Sequence, residues 1–227
     1  MISVIIPTYN EDVSERIAEV NMAIVGYERE IIIADDGSKV KLYSYPNQVK
    51  WVKHKTNQGK GAAFMSGWQV CTGDLVLLID ADKQVSINEI HVFLRLMDLY
   101  DADAVIGNKR HSYSNVNYPP LRRIVSGGYR LIVKMLFNFP ITDTQVGFKL
   151  FRRSALEKVM PRMLVKRFAF DIELLTAMKA QGLRIIDAPI KMDKPQGSGS
   201  VSWKNIIDVF KDTLAVWYRH NIRRYYG

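Results

Sequence analysis

Five short apolar runs, each closed by turn-forming residues, set the rhythm of the first half of this chain. Ile2–Ile6, Glu30–Ala34, Val49–Val52, Asp74–Ile79 and Ala104–Gly107 are predicted strands, because each packs apolar residues between turn residues. Between them the apolar positions change to helical spacing, at Val13, Ile17, Val20 and Ile24, and again at Ile87, Ile90, Leu94 and Met97. The second helix has Ser86 at a plausible N-cap and Glu89 at the capping-box position. Strands alternating with helices imply an α/β fold with a mainly parallel central sheet, flanked by helices on right-handed crossovers. No repeat, low-complexity tract or linker divides the sequence, so residues 1–227 are read as a single domain. The segment 193–202, DKPQGSGSVS, is read as a loop within it.

Two later segments carry apolar residues in a different way. Leu131, Ile132, Val133, Met135, Leu136, Phe137 and Phe139 sit among Arg130 and Lys134, apolar nearly all round, which an exposed helix would not tolerate in water. Gly127-Gly128 is expected to break this segment into two pieces. After Ser202, an N-cap candidate, Trp203, Ile206, Ile207, Phe210, Leu214 and Trp217 form one helical stripe, with Lys204, Asp208, Lys211 and Asp212 away from it. A core-packed terminal helix is an equal reading for its first turns. Residues 118–139 and 202–227 are therefore candidate membrane-interface helices.

Composition narrows the classes. A hydrophobic content of 48% is ample for a core. The single Cys71 excludes an internal disulfide or a cysteine-rich metal site, and fits a reducing compartment. The N-terminal stretch lacks the basic start of a signal peptide, and no window approaches the roughly 18 apolar residues of a spanning helix. The expectation is a cytoplasmic protein, peripheral on the inner face of a membrane. The net charge of +9 is uneven: residues 1–108 hold 10 Lys/Arg and 15 Asp/Glu, whereas residues 109–167 hold 13 Lys/Arg against only Asp143 and Glu157. Such a block asks for an anionic partner. Its apolar interleaving suits an anionic membrane surface, and no nucleic acid is expected.

The densest chemistry lies in VLLIDADKQ, residues 76–84. A buried strand would deliver Asp80, Asp82 and Gln84 to the sheet edge where ligands gather. Hard cations such as Mg²⁺ take oxygen ligands and keep positions open for substrate phosphates. An acidic turn is the plain alternative. The first two strands end in Pro7-Thr8-Tyr9-Asn10-Glu11 and Asp35-Asp36-Gly37-Ser38. Thr8, Tyr9 and Glu11 could meet a base and Asp35 or Asp36 a ribose hydroxyl, with turn chemistry an equal reading for each. Neither end carries a dinucleotide fingerprint, and GKGAA at 59–63 is not a P-loop. Gly59 and Gly61 could serve close packing, with Lys60 either solvated or a donor contact.

PTYNE, ADDGS, NQGKGAA, LLIDADKQ and DTQVGFKLF, in this order, resemble a family-2 glycosyltransferase of the GT-A (Rossmann-like) fold. Within that family the chain is similar to the polyprenyl-phosphate glycosyltransferases, the dolichyl-phosphate glucose and mannose synthases, from Ile2 to about Trp203. DTQVGFKLF and FDIELL resemble the glucosyl branch most. The resemblance implies inverting transfer of a hexose from a nucleotide sugar to a polyprenyl or dolichyl phosphate, with UDP-glucose favoured and GDP-mannose next. It implies donor contacts at Pro7, Tyr9, Glu11 and Asp36, and Mg²⁺ or Mn²⁺ on Asp80, Asp82 and Gln84. It implies phosphate contacts among Lys109, Arg110, Arg122 and Ser126, with Arg123 beside them. Two departures stand out: the loop 197–202, GSGSVS, lacks the basic residue relatives often carry, and the chain has none of their spanning helices. No Q-x-x-R-W motif points to a processive polysaccharide synthase.

The chemistry fits without the resemblance. A phosphate monoester has a second pKa of about 6 and is already a nucleophile at neutral pH, so no general base is needed. The enzyme must gather anions and stabilise a departing diphosphate. Asp171 lies where relatives acting on hydroxyl acceptors place a base, and a structural helix-start acid is an equal reading. A site role is favoured for Asp143 over a turn role. Lys149 is read as a pocket cation, with a solvated strand lysine as the alternative. Transfer to another acceptor, and an inactive membrane scaffold, are the competing functions; the intact acidic motif argues against the second.

Overall fold

The alternation of runs becomes a seven-stranded sheet in the computed structural model, which describes residues 1–39, 49–109, 111, 113–114, 120–139, 141, 143–191 and 203–227. Strands β1 (Ile2–Thr8), β2 (Arg29–Asp35), β3 (Val49–Lys53), β4 (Leu75–Ile79) and β5 (Ala104–Asn108) coincide with the five predicted runs. Two more, β6 (Phe148–Arg152) and β7 (Ile185–Pro189), complete the order β3-β2-β1-β4-β6-β5-β7. All pairings are parallel except those of β6, which runs antiparallel to both β4 and β5. Its reversal brings the start of one strand to the edge where the others end. That single exception matters for the site.

Strand residues alternate between two cores. Ile5, Ile32, Leu78, Ile106 and Phe151 face helices α2 (Lys60–Val70), α5 (Arg153–Val159) and α6 (Phe170–Ala180). Ile6, Ile33, Leu77, Val105 and Leu150 face α1 (Ser14–Ala23) and α3 (Ile90–Leu99). The predicted stripes are the buried ones: Val13, Ile17, Val20 and Ile24 on the first helix, and Ile87, Ile90 and Met97 on the second. The capping expectation fails, because Ser86 occupies the N-cap position without a side-chain capping bond, and Glu89 ends a 3₁₀ turn, Ile87–Glu89, that leads into α3.

Helices α4 (Pro120–Phe137) and α7 (Trp203–Asn221) lie against the first core through Val133, Phe137 and Val216. The Tyr129 hydroxyl meets Thr213 Oγ1 at 2.8 Å and joins the two helices. Gly127-Gly128 does not break α4, which runs through both. A Cβ on Gly128 would meet nothing, so the cost there is only the glycine's lower helix propensity, about 1 kcal/mol. The Ser202 cap and the 193–202 loop fall outside the described residues.

Candidate active site

The ends of β1, β2, β4 and β5 and the start of β6 meet at one edge of the sheet. Asp80 leaves β4 there, and its N–H donates to the Gly147 carbonyl at 2.9 Å. A Cβ on Gly147 would fall 1.7 Å from Asp80 Oδ2, so the carboxylate occupies the space a side chain would need. Beyond it a cleft is lined by Arg16, Asp80, Asp82, Gln84, Lys109 and Gly147. The three residues of the D-x-D-x-Q motif therefore share one wall.

Charge in this cleft is unbalanced on one side and paired on the other. Burial raises the Asp82 carboxyl above its usual value, and the neighbouring Asp80 raises it further. Glu11 is raised in the same way, by burial and then by Asp82 and Asp80. Asp80 is different: burial pushes it up, but Lys60, with Lys149 and Lys109, outweighs burial and leaves it below the usual range. Lys60 is ion-paired to Asp80, and its own pKa is raised because Asp80, Asp171 and Asp82 outweigh its burial. It is not the solvated lysine of the alternative reading.

Lys60 is placed by its glycines. Gly59 precedes α2 at φ +112°, and a Cβ there would lie 2.5 Å from the Lys166 carbonyl. One on Gly61 would lie 2.6 Å from Phe170 Cβ. The Ala62 N–H donates to the Lys166 carbonyl at 3.0 Å. The start of α2 is thus seated tightly on the segment leading into α6.

The donor-loop candidates divide. Tyr9 (45% exposed) and Glu11 are accessible, whereas Pro7 and Thr8 are buried at the end of β1, with Thr8 Oγ1 donating to the Glu11 carbonyl. Asp35 accepts from the Ser38 N–H at 2.8 Å and pairs with Lys53 at 3.5 Å. Asp36 accepts from the Gln58 and Gly59 N–H groups and meets His54 Nδ1 at 2.7 Å; His54 Nε2 meets Ser66 Oγ at 2.9 Å. These two acids hold the loop after β2 and the loop that leads into α2. The Asn10 N–H donates to Ser38 Oγ and the Asn10 side chain accepts from the Lys39 N–H, joining the ends of β1 and β2.

The remaining candidates are spread over three settings. Lys149 has no exposure; it is 2.8 Å from Asp171 Oδ1, but its ammonium donates to the Val146 carbonyl, and Asp171 Oδ1 has no aligned donor. Lys149 is thus a buried cation that does not offer its ammonium to a phosphate at the surface; it acts on Asp80, and Asp171 on Lys60, through charge. Asp171 lies in the first turn of α6. Asp143 accepts from the Gln145 N–H at 3.3 Å, which is the turn chemistry that sequence reasoning ranked second. Lys109 lines the cleft, Arg110 lies outside the described residues, and Arg122, Arg123 and Ser126 are carried by α4, with side chains outside them.

Sequence reasoning missed Arg16, whose place on a helix reads as an ordinary solvated arginine, and His54, which had no local signal. Gly147 had one: a glycine directly before an apolar strand marks close approach of another chain segment.

The two amphipathic helices show which face is spare. On α4, Leu131 (59% exposed), Ile132 and Met135 (77%) point outward, while Val133 and Phe137 are buried and Leu136, with Phe139 just past the helix, packs on the core. On α7, Ile207, Phe210, Leu214 and Tyr218 are exposed, and Thr213, Val216 and Trp217 turn inward. Leu136, Phe139 and Trp217, which the sequence placed with the interface residues, are partly buried and pack against the core. Trp203 and Ile206 have side chains outside the described residues. No described helix is long and apolar enough to cross a membrane.

Comparison with known proteins adds a family. Residues 3–160 match the model described as glycosyl transferase family 2. The dolichyl-phosphate beta-glucosyltransferase ALG5C of Trichomonas vaginalis is 30% identical over 95% of this chain and 71% of its own. The dolichyl-phosphate beta-glucosyltransferase of Dictyostelium discoideum is 29% identical over 96% and 74%. Among solved structures, glucosyl-3-phosphoglycerate synthase from Mycobacterium tuberculosis, in complex with Mn²⁺, UDP-glucose and phosphoglyceric acid, superposes with a TM-score of 0.70. It is 17% identical, over 96% of this chain and 78% of that one, which shows the shared fold. A mannosyltransferase from Pyrobaculum calidifontis, in complex with GDP-mannose and Mn²⁺, gives 0.65 at 19% identity over 98% and 64%.

Proposed function

The chain belongs to glycosyl transferase family 2, and from that premise we propose that it transfers glucose from UDP-glucose to a polyprenyl or dolichyl phosphate, with inversion, at a membrane surface. Its curated relatives are named for that acceptor and that sugar. The observation that carries the reading is the cleft wall: Asp80, Asp82 and Gln84 side by side, with Lys109 opposite in charge.

The wall fits a divalent cation. Its donors are all oxygen, as Mg²⁺ and Mn²⁺ prefer. Two neighbouring carboxyls, Asp82 and Glu11, are raised by burial and by acidic neighbours, a cost that a cation would relieve. Among the described residues no three His, Cys, Asp or Glu side chains converge on one point, so Gln84 and substrate oxygens would complete the set around Asp80 and Asp82. When bound, the cation supplies Lewis-acid stabilisation to the departing diphosphate.

The chain's own residues do the rest. Tyr9 and Glu11 contact the nucleoside from loops that Asp35 and Asp36 hold in place. Lys60, held against Asp80, adds positive charge at the donor side. Lys109, Arg110, Arg122, Arg123 and Ser126 gather the lipid phosphate, whose dianionic form attacks without a base. Asp171 then serves as the buried counter-charge of Lys149 and Lys60 rather than as a base. The outward apolar residues of α4 and α7 rest on the lipid surface, with Arg130 and Lys134 at the level of the headgroups.

The test is a panel of labelled UDP-glucose and GDP-mannose with polyprenyl phosphates in vesicles, followed by extraction of labelled lipid. Label from UDP-glucose in the lipid fraction, dependent on Mn²⁺ or Mg²⁺, is the expected result. Strict use of GDP-mannose would overturn the donor, and label found only on water-soluble acceptors would overturn the lipid.

A further inference from the structure

Arg16 is among the largest fully buried side chains of the protein, at 1% exposure, and it lines the acidic cleft. Its Nη1 donates to the Val85 carbonyl at 3.1 Å and to Glu19 Oε2 at 3.0 Å. Its Nε is buried and has no hydrogen-bond partner among the described residues. A guanidinium taken out of water is costly unless its hydrogen bonds compensate, so its burial calls for a reason. Its partner points to that reason: Val85 directly follows Gln84.

A second contact joins the same two segments. Glu15, the preceding residue on α1, is ion-paired to Lys83, inside the D-x-D-x-Q turn. Two successive residues of the first turn of α1 thus hold two positions of the segment 80–85. The first turn of α1 also follows the Thr8–Glu11 loop by a few residues. One short helix turn therefore connects the nucleoside loop to the oxygen donors of the cleft.

We propose that Arg16 is the positioning residue of the cation and diphosphate site. By donating to the Val85 carbonyl, it fixes the backbone on which Asp82 and Gln84 are carried. Its spare Nε–H is kept for an acceptor oxygen inside the cleft. The role is one of geometry: the hydrogen bonds of Arg16 run to the Val85 carbonyl and to Glu19, beside the segment that carries Asp82 and Gln84. This rests on the proposed metal and nucleotide site and names what holds that site in shape.

The experiment uses the whole chain without lipid acceptor. Binding of Mn²⁺ is measured by electron paramagnetic resonance, and binding of UDP in the presence of Mn²⁺ by calorimetry, for wild type, Arg16→Met, Arg16→Lys and Glu19→Ala. Circular dichroism reports the fold, and the acceptor KM is measured separately. Residues that orient metal ligands typically contribute about 10–100-fold in affinity. Arg16→Met is expected to lose Mn²⁺–UDP affinity in that range with the acceptor KM unchanged. Arg16→Lys, which keeps the charge but lacks Nε and the planar fork, is expected to recover only part of it. Glu19→Ala, at a partly exposed position, should shift affinity a few-fold in the same direction. If Arg16→Met does not fold, the other two carry the test, and unchanged Mn²⁺–UDP affinity in both overturns the proposal. So does a rise in acceptor KM with donor affinity intact. A wild-type protein that binds neither Mn²⁺ nor UDP overturns the metal site itself. Wild type and folded variants that bind equally well overturn only the role of Arg16.

Discussion

The acidic cleft and the outer faces of α4 and α7 are built on opposite rules. In and around the cleft, polar groups are held by specific neighbours: Asp80 by Lys60 and the Gly147 carbonyl, Asp36 at the end of β2 by two backbone N–H groups and His54, the Val85 carbonyl by Arg16. On the outer faces, Leu131, Met135, Ile207 and Phe210 have no such definition and simply stand in the open. A site that must place charge on a developing transition state needs preorganised geometry. A surface that rests on lipid needs only apolar area and positive charge, both of which add residue by residue. The cleft should therefore fail on the change of a single atom group, and the outer face only on concerted changes.

The largest expected effect is Asp82→Ala. Removing one carboxylate of the pair should lower transfer by about 100-fold or more, beyond what loss of a supporting residue costs, with circular dichroism unchanged. Activity that persists in EDTA would remove the cation from the account. Next is Gly147→Ala. One methyl group must displace the Asp80 carboxylate from its position 1.7 Å away. Asp80 is only half-buried, so the carboxylate can move while the sheet survives, and the expected result is a folded protein with transfer lowered about 10–100-fold. Near-normal transfer would show that the place of Asp80 against Gly147 is not needed.

The same contrast explains what the sequence made legible. The D-x-D-x-Q turn lies within five residues of one strand end, so its chemistry is local and its neighbours along the chain announce it. The five parallel strands were legible for the same reason, as apolar runs between turns. Strand β6 was visible only as the apolar run after Gly147. Its antiparallel insertion between β4 and β5 is a tertiary fact that no local pattern carries. Arg16 and His54 were hidden because their partners, Val85 and Asp36, are remote in sequence. On α4 and α7 the amphipathic pattern was real, yet the division into inner and outer residues was not readable. Leu136 and Trp217 look like Met135 and Phe210 in a hydrophobic stripe, and only the position of the core decides which of them meets water.

That division gives a smaller effect with a built-in control. Met135→Glu with Phe210→Glu places two charges on outward positions, 77% and 39% exposed. Co-sedimentation with anionic vesicles should fall by at least about 10-fold, since each lost apolar side chain and each added negative charge contributes on the order of 1 kcal/mol and a loss of about 1.4 kcal/mol is already tenfold. Thermal stability should stay near wild type. Phe137→Ala, two residues along the same helix on its inner face and buried at 4% exposure, should do the reverse. It should cost about 3–5 kcal/mol of stability and leave vesicle binding of the folded fraction intact. If the double glutamate variant stays folded and sediments like wild type, these faces do not rest on lipid.

The smallest effect concerns pH, and it should appear in the cleft alone. Burial and then acidic neighbours raise Asp82 from an ordinary value of 3.8 and Glu11 from 4.5. A raised folded pKa means that the folded protein holds the proton more tightly than the unfolded chain does. The stability these two groups contribute is therefore fully present below their ordinary values. It is lost as pH rises through the raised ones. Asp80 has the opposite sign: its lowered pKa contributes above 3.8 and fails only as pH falls through the folded value. At neutral pH the cleft thus carries an uncompensated repulsion, which a bound cation relieves. Mn²⁺ should raise the melting temperature by a few degrees at pH 7, where about 1 kcal/mol corresponds to some degrees for a chain of this size. The rise should shrink as pH is lowered toward the carboxylate range, because protons then take the place of the cation. Asp82→Asn in EDTA at pH 7 should melt no lower than wild type, since it removes one side of the repulsion. A clear loss of stability in that variant would mean the carboxylates do not strain the free cleft. The outer faces supply the comparison: vesicle binding through Leu131, Met135, Ile207 and Phe210 has no carboxylate to titrate among those four and should hold constant over the same pH range.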